Sequence, residues 1–168
     1  MAIVIGTGSF LLFFSLAVNV VALMVPYWYS TGGSKNYGLW GTCTCDWYYK
    51  SADDAFKDTR RADWFKASQW LYAAGVALMG MALFMLFIVA CCSEKVYAKA
   101  MTAAGALMLI AAVLVAVSIV VFGVKGHDDL GLNIDGRNRF DWGMWMGVAG
   151  FGIALCTAIV FLIQGSRI

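Results

Sequence analysis

The sequence predicts an all-α membrane protein: a left-handed bundle of four transmembrane helices, with a small antiparallel β-sheet and a short helix in its first loop. Three observations predict it. Of 168 residues, 62% are hydrophobic and only 13% charged, whereas about a quarter of a soluble domain is charged. So little charge does not cover a water-exposed globule of this size. Second, four stretches carry no charged residue: Ile3–Val25, Trp70–Cys92, Ala100–Val124 and Trp142–Ile163. Each reaches the roughly 20 residues a helix needs to cross hydrocarbon. Third, one connector, Pro26–Gln69, holds eleven of the twenty-two charges and a dense run of Trp and Tyr.

In lipid a spanning segment must satisfy its own backbone hydrogen bonds, so each stretch is helical, and membrane bundles are mostly left-handed. Pro26 suits the stop of the first span. That span lacks a positively charged leader and outruns a signal-peptide core of about 7–15 residues, so it reads as a retained span. Glu94 and Lys95 close the second span, Lys125, Gly126 and His127 the third, and Gly165 follows the fourth. Ser93–Lys99 reads as a tight turn, Lys125–Asp141 as a second loop, and Gln164–Ile168 as the tail. Four spans place both termini on one side and both long loops on the other.

The first loop opens with Tyr27, Trp28, Tyr29, Tyr37, Trp40, Trp47, Tyr48 and Tyr49. Such residues favour both membrane interfaces and strands. Tyr27–Ser30, Tyr37–Thr44 and Asp46–Lys50 read as short strands, with Thr31-Gly32-Gly33-Ser34 as a turn. From Ser51 an N-cap followed by Asp53 and Asp54 predicts a helix that continues into the second span. Phe56, Ala62 and Phe65 are its inward positions.

Trp28, then Gly38-Leu39-Trp40, then Cys43 resembles the W…GLW…C…C signature of the claudin, peripheral myelin and epithelial membrane protein superfamily. Val25-Pro26-Tyr27-Trp28 resembles the end of a first claudin span, and Trp64–Gln69 is similar to the myelin and epithelial branch at its second span. The resemblance implies a single tetraspan domain over residues 1–168, a plasma-membrane protein with cytoplasmic termini and extracellular loops at 26–69 and 125–141. Lys35, Lys50, Lys57, Arg60, Arg61 and Lys66 oppose that topology, because a bare Lys/Arg count puts the first loop in the cytoplasm. Its outward placement therefore rests on the resemblance.

The family pairs its first loop Cys with a second on the neighbouring strand. Here the next Cys is Cys45. Two strand residues that close share a face, with Cα atoms about 6.5 Å apart, near the upper limit for a bridge. A Cys43–Cys45 bridge, a free thiol and an intermolecular bridge stay open, the first being favoured in an oxidising compartment. The resemblance also marks first-loop charges for partner or ion contact: Asp46, Lys50, Asp53 and Asp54, with Arg60 or Arg61 near the second span. Pairing with loop aspartates or snorkelling explains the arginines equally well.

Cys91 and Cys92, at the membrane boundary, suit either S-palmitoylation or plain packing. Gly143, Gly147, Gly150 and Gly152 form a flat strip suited to close helix packing, in preference to dimerisation. The alanines of the third span, Ala103, Ala104, Ala111 and Ala112, are the expected partners. Asn19 is expected to donate an interhelical hydrogen bond. His127 reads as an exposed loop histidine. Ser166-Arg167-Ile168 resembles a PDZ ligand, but it lies so near the membrane that a frayed end is the favoured reading.

No span contains Asp, Glu, Lys, Arg or His, which argues against proton relays and ion-coupled transport. No catalytic set, metal-ligand cluster or phosphate-cradling loop appears, so no enzyme, cofactor or metal is expected. Cys43 and Cys45 lack the C-x-x-C spacing of a thiol oxidoreductase. The charge balance of +2 gives no nucleic-acid footprint. Partners are then lipid, further copies of the chain, or another membrane protein. The expected function is claudin-like: organising cell contacts, junctions or barriers through the first loop. The alternative is an auxiliary subunit of an ion channel or receptor, packing laterally through its spans.

Overall fold

The computed structural model describes residues 2–31, 35–40, 62–89, 94–134 and 138–167. Four helices, α1 (Ala2–Met24), α2 (Asp63–Val89), α3 (Glu94–Leu130) and α4 (Trp142–Arg167), are joined by strands β1 (Tyr29–Thr31), β2 (Lys35–Tyr37) and β3 (Arg139–Phe140). Round the bundle, α2 packs on α3, α3 on α4, α4 on α1 and, less extensively, α1 on α2. Three stretches, Asp63–Val89, Lys99–Leu130 and Trp142–Ser166, are long and apolar enough to cross a membrane, and α1 adds the apolar helix Gly8–Met24.

Each helix end has a local cause. Pro26 disfavours helical backbone at the residue before it, and α1 ends at Met24. The Ala62 carbonyl starts α2 by accepting from the amides of Phe65 and Lys66, both at 3.2 Å. Asp63 lies in that first turn, where a negative charge suits the helix dipole. Gly131, at φ +62°, closes α3 in the left-handed conformation that glycine tolerates best. Its amide donates to His127 O at 3.0 Å, and Asn138 Nδ2 donates to Leu130 O at 3.2 Å.

The third helix is longer at both ends than the expected span. It does not end at Lys125, Gly126 and His127; α3 continues to Leu130. Gly126 is buried inside the helix, and a Cβ there would stand 3.0 Å from the buried Leu132 side chain. His127 is exposed, as expected, but on this helix rather than in a loop; its Nδ1 is 2.8 Å from Leu132 O. The expected turn Ser93–Lys99 is shorter, because α3 already begins at Glu94. The second helix begins before Trp70 because Phe65, Ser68 and Gln69 are buried on its inner face.

The strands are one β-sheet in the order β2-β1-β3. Antiparallel pairing places Tyr29 opposite Tyr37 and Ser30 opposite Asn36. On the other side of β1, Tyr29 faces Phe140 and Ser30 faces Arg139. The second strand therefore ends at Tyr37, where the expectation had it begin. Gly38-Leu39-Trp40 leaves the sheet because it turns down onto the bundle. The third strand comes from the second loop and was not expected; the one expected at Asp46–Lys50 lies outside the described residues. Of the expected turn Thr31-Gly32-Gly33-Ser34, Thr31 belongs to β1 and the other three residues lie outside the described residues, as do Phe56 and the expected helix start at Ser51.

Candidate functional site

The sheet sits on the end of the bundle, and Trp28 anchors it. This fully buried indole donates from Nε1 to Ala22 O at 2.6 Å, in the last turn of α1. Its amide donates to Tyr37 O at 2.7 Å, and its carbonyl accepts from Asp141 N at 2.9 Å. One residue thus ties both loops to the first span. Beside it, Tyr27 O accepts from Gly143 N at 2.8 Å.

Phe122, near the sheet-bearing end of α3, collects the rings beneath the sheet. Trp28 lies 5.1 Å away edge to face, Tyr29 6.0 Å away, and Phe140 6.3 Å away. From α2, Trp64 and Phe65 each approach to 6.2 Å. These spacings and tilts suit the ring quadrupole. Sequence reasoning missed this hub. The available signal was that Phe122 is the one aromatic residue between Ala100 and Val124.

Gly38 is buried against the first span. An added Cβ would strike the carbonyl of Val25 and stand 2.7 Å from Pro26 Cα, so only glycine lets these backbones meet. Leu39 is fully buried, and its carbonyl accepts from the buried Gln69 Nε2. This bond joins the first loop to the second helix. Trp40 is half-buried and meets Trp70 edge to face at 5.7 Å. Trp70, Trp142 and Trp145 are exposed at this end of the bundle, where indole rings suit a membrane interface. Trp28, Gly38, Leu39 and Trp40 are therefore brought together as the base of the sheet.

Below the sheet the polar groups pair between helices. Ser68 and Ser118 each donate to the other's backbone carbonyl, at 3.3 and 2.7 Å. Asn19 Nδ2 donates to Ser15 O in its own helix at 2.8 Å, while its Oδ1 accepts from Tyr72 Oη at 3.0 Å. The expectation that Asn19 donates between helices is thus reversed: the interhelical donor is the Tyr72 hydroxyl. The amide hydrogens are directed to the nearer carbonyl one turn back.

The glycine strip packs inside the bundle, but onto different partners from those expected. A Cβ on Gly143 would come within 2.7 Å of Tyr27 O, one on Gly147 within 3.3 Å of Tyr72 Oη, and one on Gly150 within 2.7 Å of Asn19 Oδ1. These three make room for α1, Tyr27 and the Asn19–Tyr72 pair, whereas Gly152 does not join them: nothing lies within 4 Å of a Cβ added there. Of the four alanines, Ala104, Ala111 and Ala112 are buried but Ala103 is exposed. At Ala111 the α3 backbone lies against Gly75, where a Cβ would be 3.0 Å from its carbonyl.

Cys43, Cys45, Asp46, Lys50, Asp53, Asp54, Arg60, Arg61, Cys91 and Cys92 lie outside the described residues. Ser166 falls within α4 and donates to Ile163 O at 2.8 Å. Among the described residues no group of three or more His, Cys, Asp or Glu could hold a metal ion.

The fold and this sheet-capped end define a multi-pass membrane protein. The chain belongs to the PMP-22/EMP/MP20/claudin tight-junction family, whose description matches residues 13–163. That stretch runs from within α1 to near the end of α4 and includes both loops. Membership gives it the structural, junction-type membrane role of that family, whose members as a rule are not enzymes. A comparison with individually curated proteins gives no match.

Proposed function

We propose that this protein organises contacts between cells, with both loops displayed outside the plasma membrane and both termini in the cytoplasm. The observation that supports the reading is the joining of the two loops into one sheet. Ser30 of the first loop pairs with Asn36 on one side and Arg139 of the second loop on the other. Trp28 and the rings round Phe122 hold that sheet on the bundle. A surface built this way is preorganised, and a preorganised surface loses less entropy on meeting a partner. The first-loop charges Asp46, Lys50, Asp53, Asp54, Arg60 and Arg61 supply the contact chemistry in this reading, with Cys43 and Cys45 bridged in the oxidising exterior.

Expression in a non-adherent cell line tests it. The expected outcome is protein enriched where two expressing cells touch, together with homo-oligomers in a gentle detergent extract. A tag accessible from outside at Ile134, but not at the N-terminus, checks the topology. Uniform distribution, no gain in contacts and stoichiometric recovery with a channel or receptor would overturn the proposal in favour of an auxiliary-subunit role.

A further inference from the structure

Near the end of α2 furthest from the sheet, an open groove of about 290 Å³ runs between α2 and α3. Met81, Phe84, Met85, Ile88 and Val89 of α2 and Leu107 of α3 line it, and all six side chains are apolar. From Met81 to Val89 the α2 wall is about 12 Å long, most of the roughly 15 Å depth of one leaflet. The packing of α2 on α3 fixes what stands where the groove meets the membrane boundary. Ser68 bonds Ser118, and a Cβ on Gly75 would lie 3.0 Å from Ala111 O. Antiparallel helices matched at these two depths bring Lys99 level with Phe87, next to Ile88 of the groove. Lys99 is the first residue of the spanning stretch Lys99–Leu130. It is exposed, and among the described residues it has no ion-pair partner. It stands about 80° round α3 from Leu107, a sideways step that a lysine's flexible four-carbon stem covers.

We propose that the groove and Lys99 together bind an anionic glycerophospholipid, with one acyl chain in the groove and the headgroup phosphate on the Lys99 ammonium. The groove by itself does not choose among lipids, because every bilayer lipid brings acyl chains and the lining offers no polar group to a headgroup. It does hold a chain: walls on two sides give a methylene chain more close contacts than one helix face can, and methionine adapts to its shape. Lys99 supplies the choice. A zwitterionic headgroup carries its own cation beside the phosphate, so the ammonium gains little from it. An anionic headgroup leaves a net negative charge for the ammonium to meet. One lysine near the membrane surface is worth about fivefold in affinity for anionic lipid. With the termini in the cytoplasm, as proposed above, this leaflet is the inner one, where the plasma membrane keeps its anionic lipid.

The test places the full-length protein in phosphatidylcholine nanodiscs that carry a trace of one of two probes, phosphatidylserine or phosphatidylcholine, each with a diazirine midway along one acyl chain. Both leaflets of a disc hold the same lipids, so the outcome depends neither on which side the sheet faces nor on any role in cell contact. After irradiation the phosphatidylserine probe is expected to leave about fivefold more adducts than the phosphatidylcholine probe on the α2 peptide spanning residues 81–89 and on Leu107. Lys99→Gln should bring the two probes level, and Lys99→Arg, which keeps the charge, should retain the preference. Leu107→Trp, which fills the groove, should remove the α2 adducts of both probes. Val113→Trp, on a lipid-facing position of α3, should change neither. Equal labelling by the two probes in the unaltered protein overturns the proposal, as does a preference that survives Lys99→Gln. Groove adducts that disappear when each disc holds two copies overturn it too, by making a second copy of the chain the occupant.

Discussion

Phe122 carries more of the site than its setting in the sequence suggests. It is fully buried and meets rings from the first loop, the second loop and α2. Truncating a buried Phe to Ala typically costs about 3–5 kcal/mol through lost burial and the cavity left behind. Phe122→Ala should therefore lower the unfolding midpoint in detergent markedly, and limited proteolysis should cut the loops sooner. Phe122→Leu, which keeps most of the volume, should lose far less. Equal effects would mean that ring packing is not what holds the sheet. Gly150 makes the opposite case, because its contribution is the space it leaves. An alanine there pushes a methyl group against Asn19 Oδ1 at 2.7 Å. Overpacking of this kind costs about 1–3 kcal/mol. Gly152→Ala is the control, since nothing lies within 4 Å of its added Cβ; thermal melts of the two should separate clearly.

Between elements, the α2–α3 seam is held by apolar packing and by the Ser68–Ser118 pair. Each hydroxyl bonds the other residue's backbone carbonyl, so each single Ser→Ala change removes one bond and leaves the other. Interhelical hydrogen bonds in membranes average about 0.6 kcal/mol. A double-mutant cycle should give two modest single losses and little coupling energy, because the bonds use different donors and acceptors. A coupling much above about 1 kcal/mol would show that the pair acts as one unit. This clasp is not legible in the sequence. Serine is common and small, and nothing in the spacing of Ser68 and Ser118, fifty residues apart, brings them to one depth. The antiparallel packing of the two helices does so.

For the whole molecule, exposure has two meanings. Ile110 in α3 is 52% exposed and Ile134 in the second loop is 68% exposed, yet the first faces lipid and the second water. Lysine near a helix centre raises the cost of membrane insertion by roughly 2.5–3.5 kcal/mol. Ile110→Lys should therefore cut the membrane-inserted fraction in a translocation assay, while Ile134→Lys leaves it unchanged. A similar response at both sites would contradict the bundle's placement in the bilayer. The Asn19–Tyr72 and Ser68–Ser118 bonds direct these polar groups inward. The outer faces of the spans keep Phe10, Phe84, Phe87 and Val120 for the hydrocarbon.

Much of the architecture follows from the chain's composition and order alone. Charge-free stretches of spanning length must be helices in lipid, and Pro26 and Gly131 stop two of them for reasons of backbone geometry. Trp28 and Gly38-Leu39-Trp40 stood out in the sequence through their resemblance to a family signature, and the fold packs them together beneath the sheet. The sequence could not say what those residues touch. Trp28 reaches back to Ala22, Gln69 reaches Leu39, and Arg139 pairs with Ser30. Each partnership depends on where distant segments come to rest. The third strand shows this best: Arg139–Phe140 is too short to announce itself by alternation. It becomes a strand because Asp141 and Gly143, at the start of α4, bond to the carbonyls of Trp28 and Tyr27 and bring the second loop alongside β1. The large first loop was recognisable from its aromatic residues and its tryptophan signature. Its attachment to the second loop is a product of tertiary structure, because backbone pairing carries no side-chain code that two short segments can display in advance.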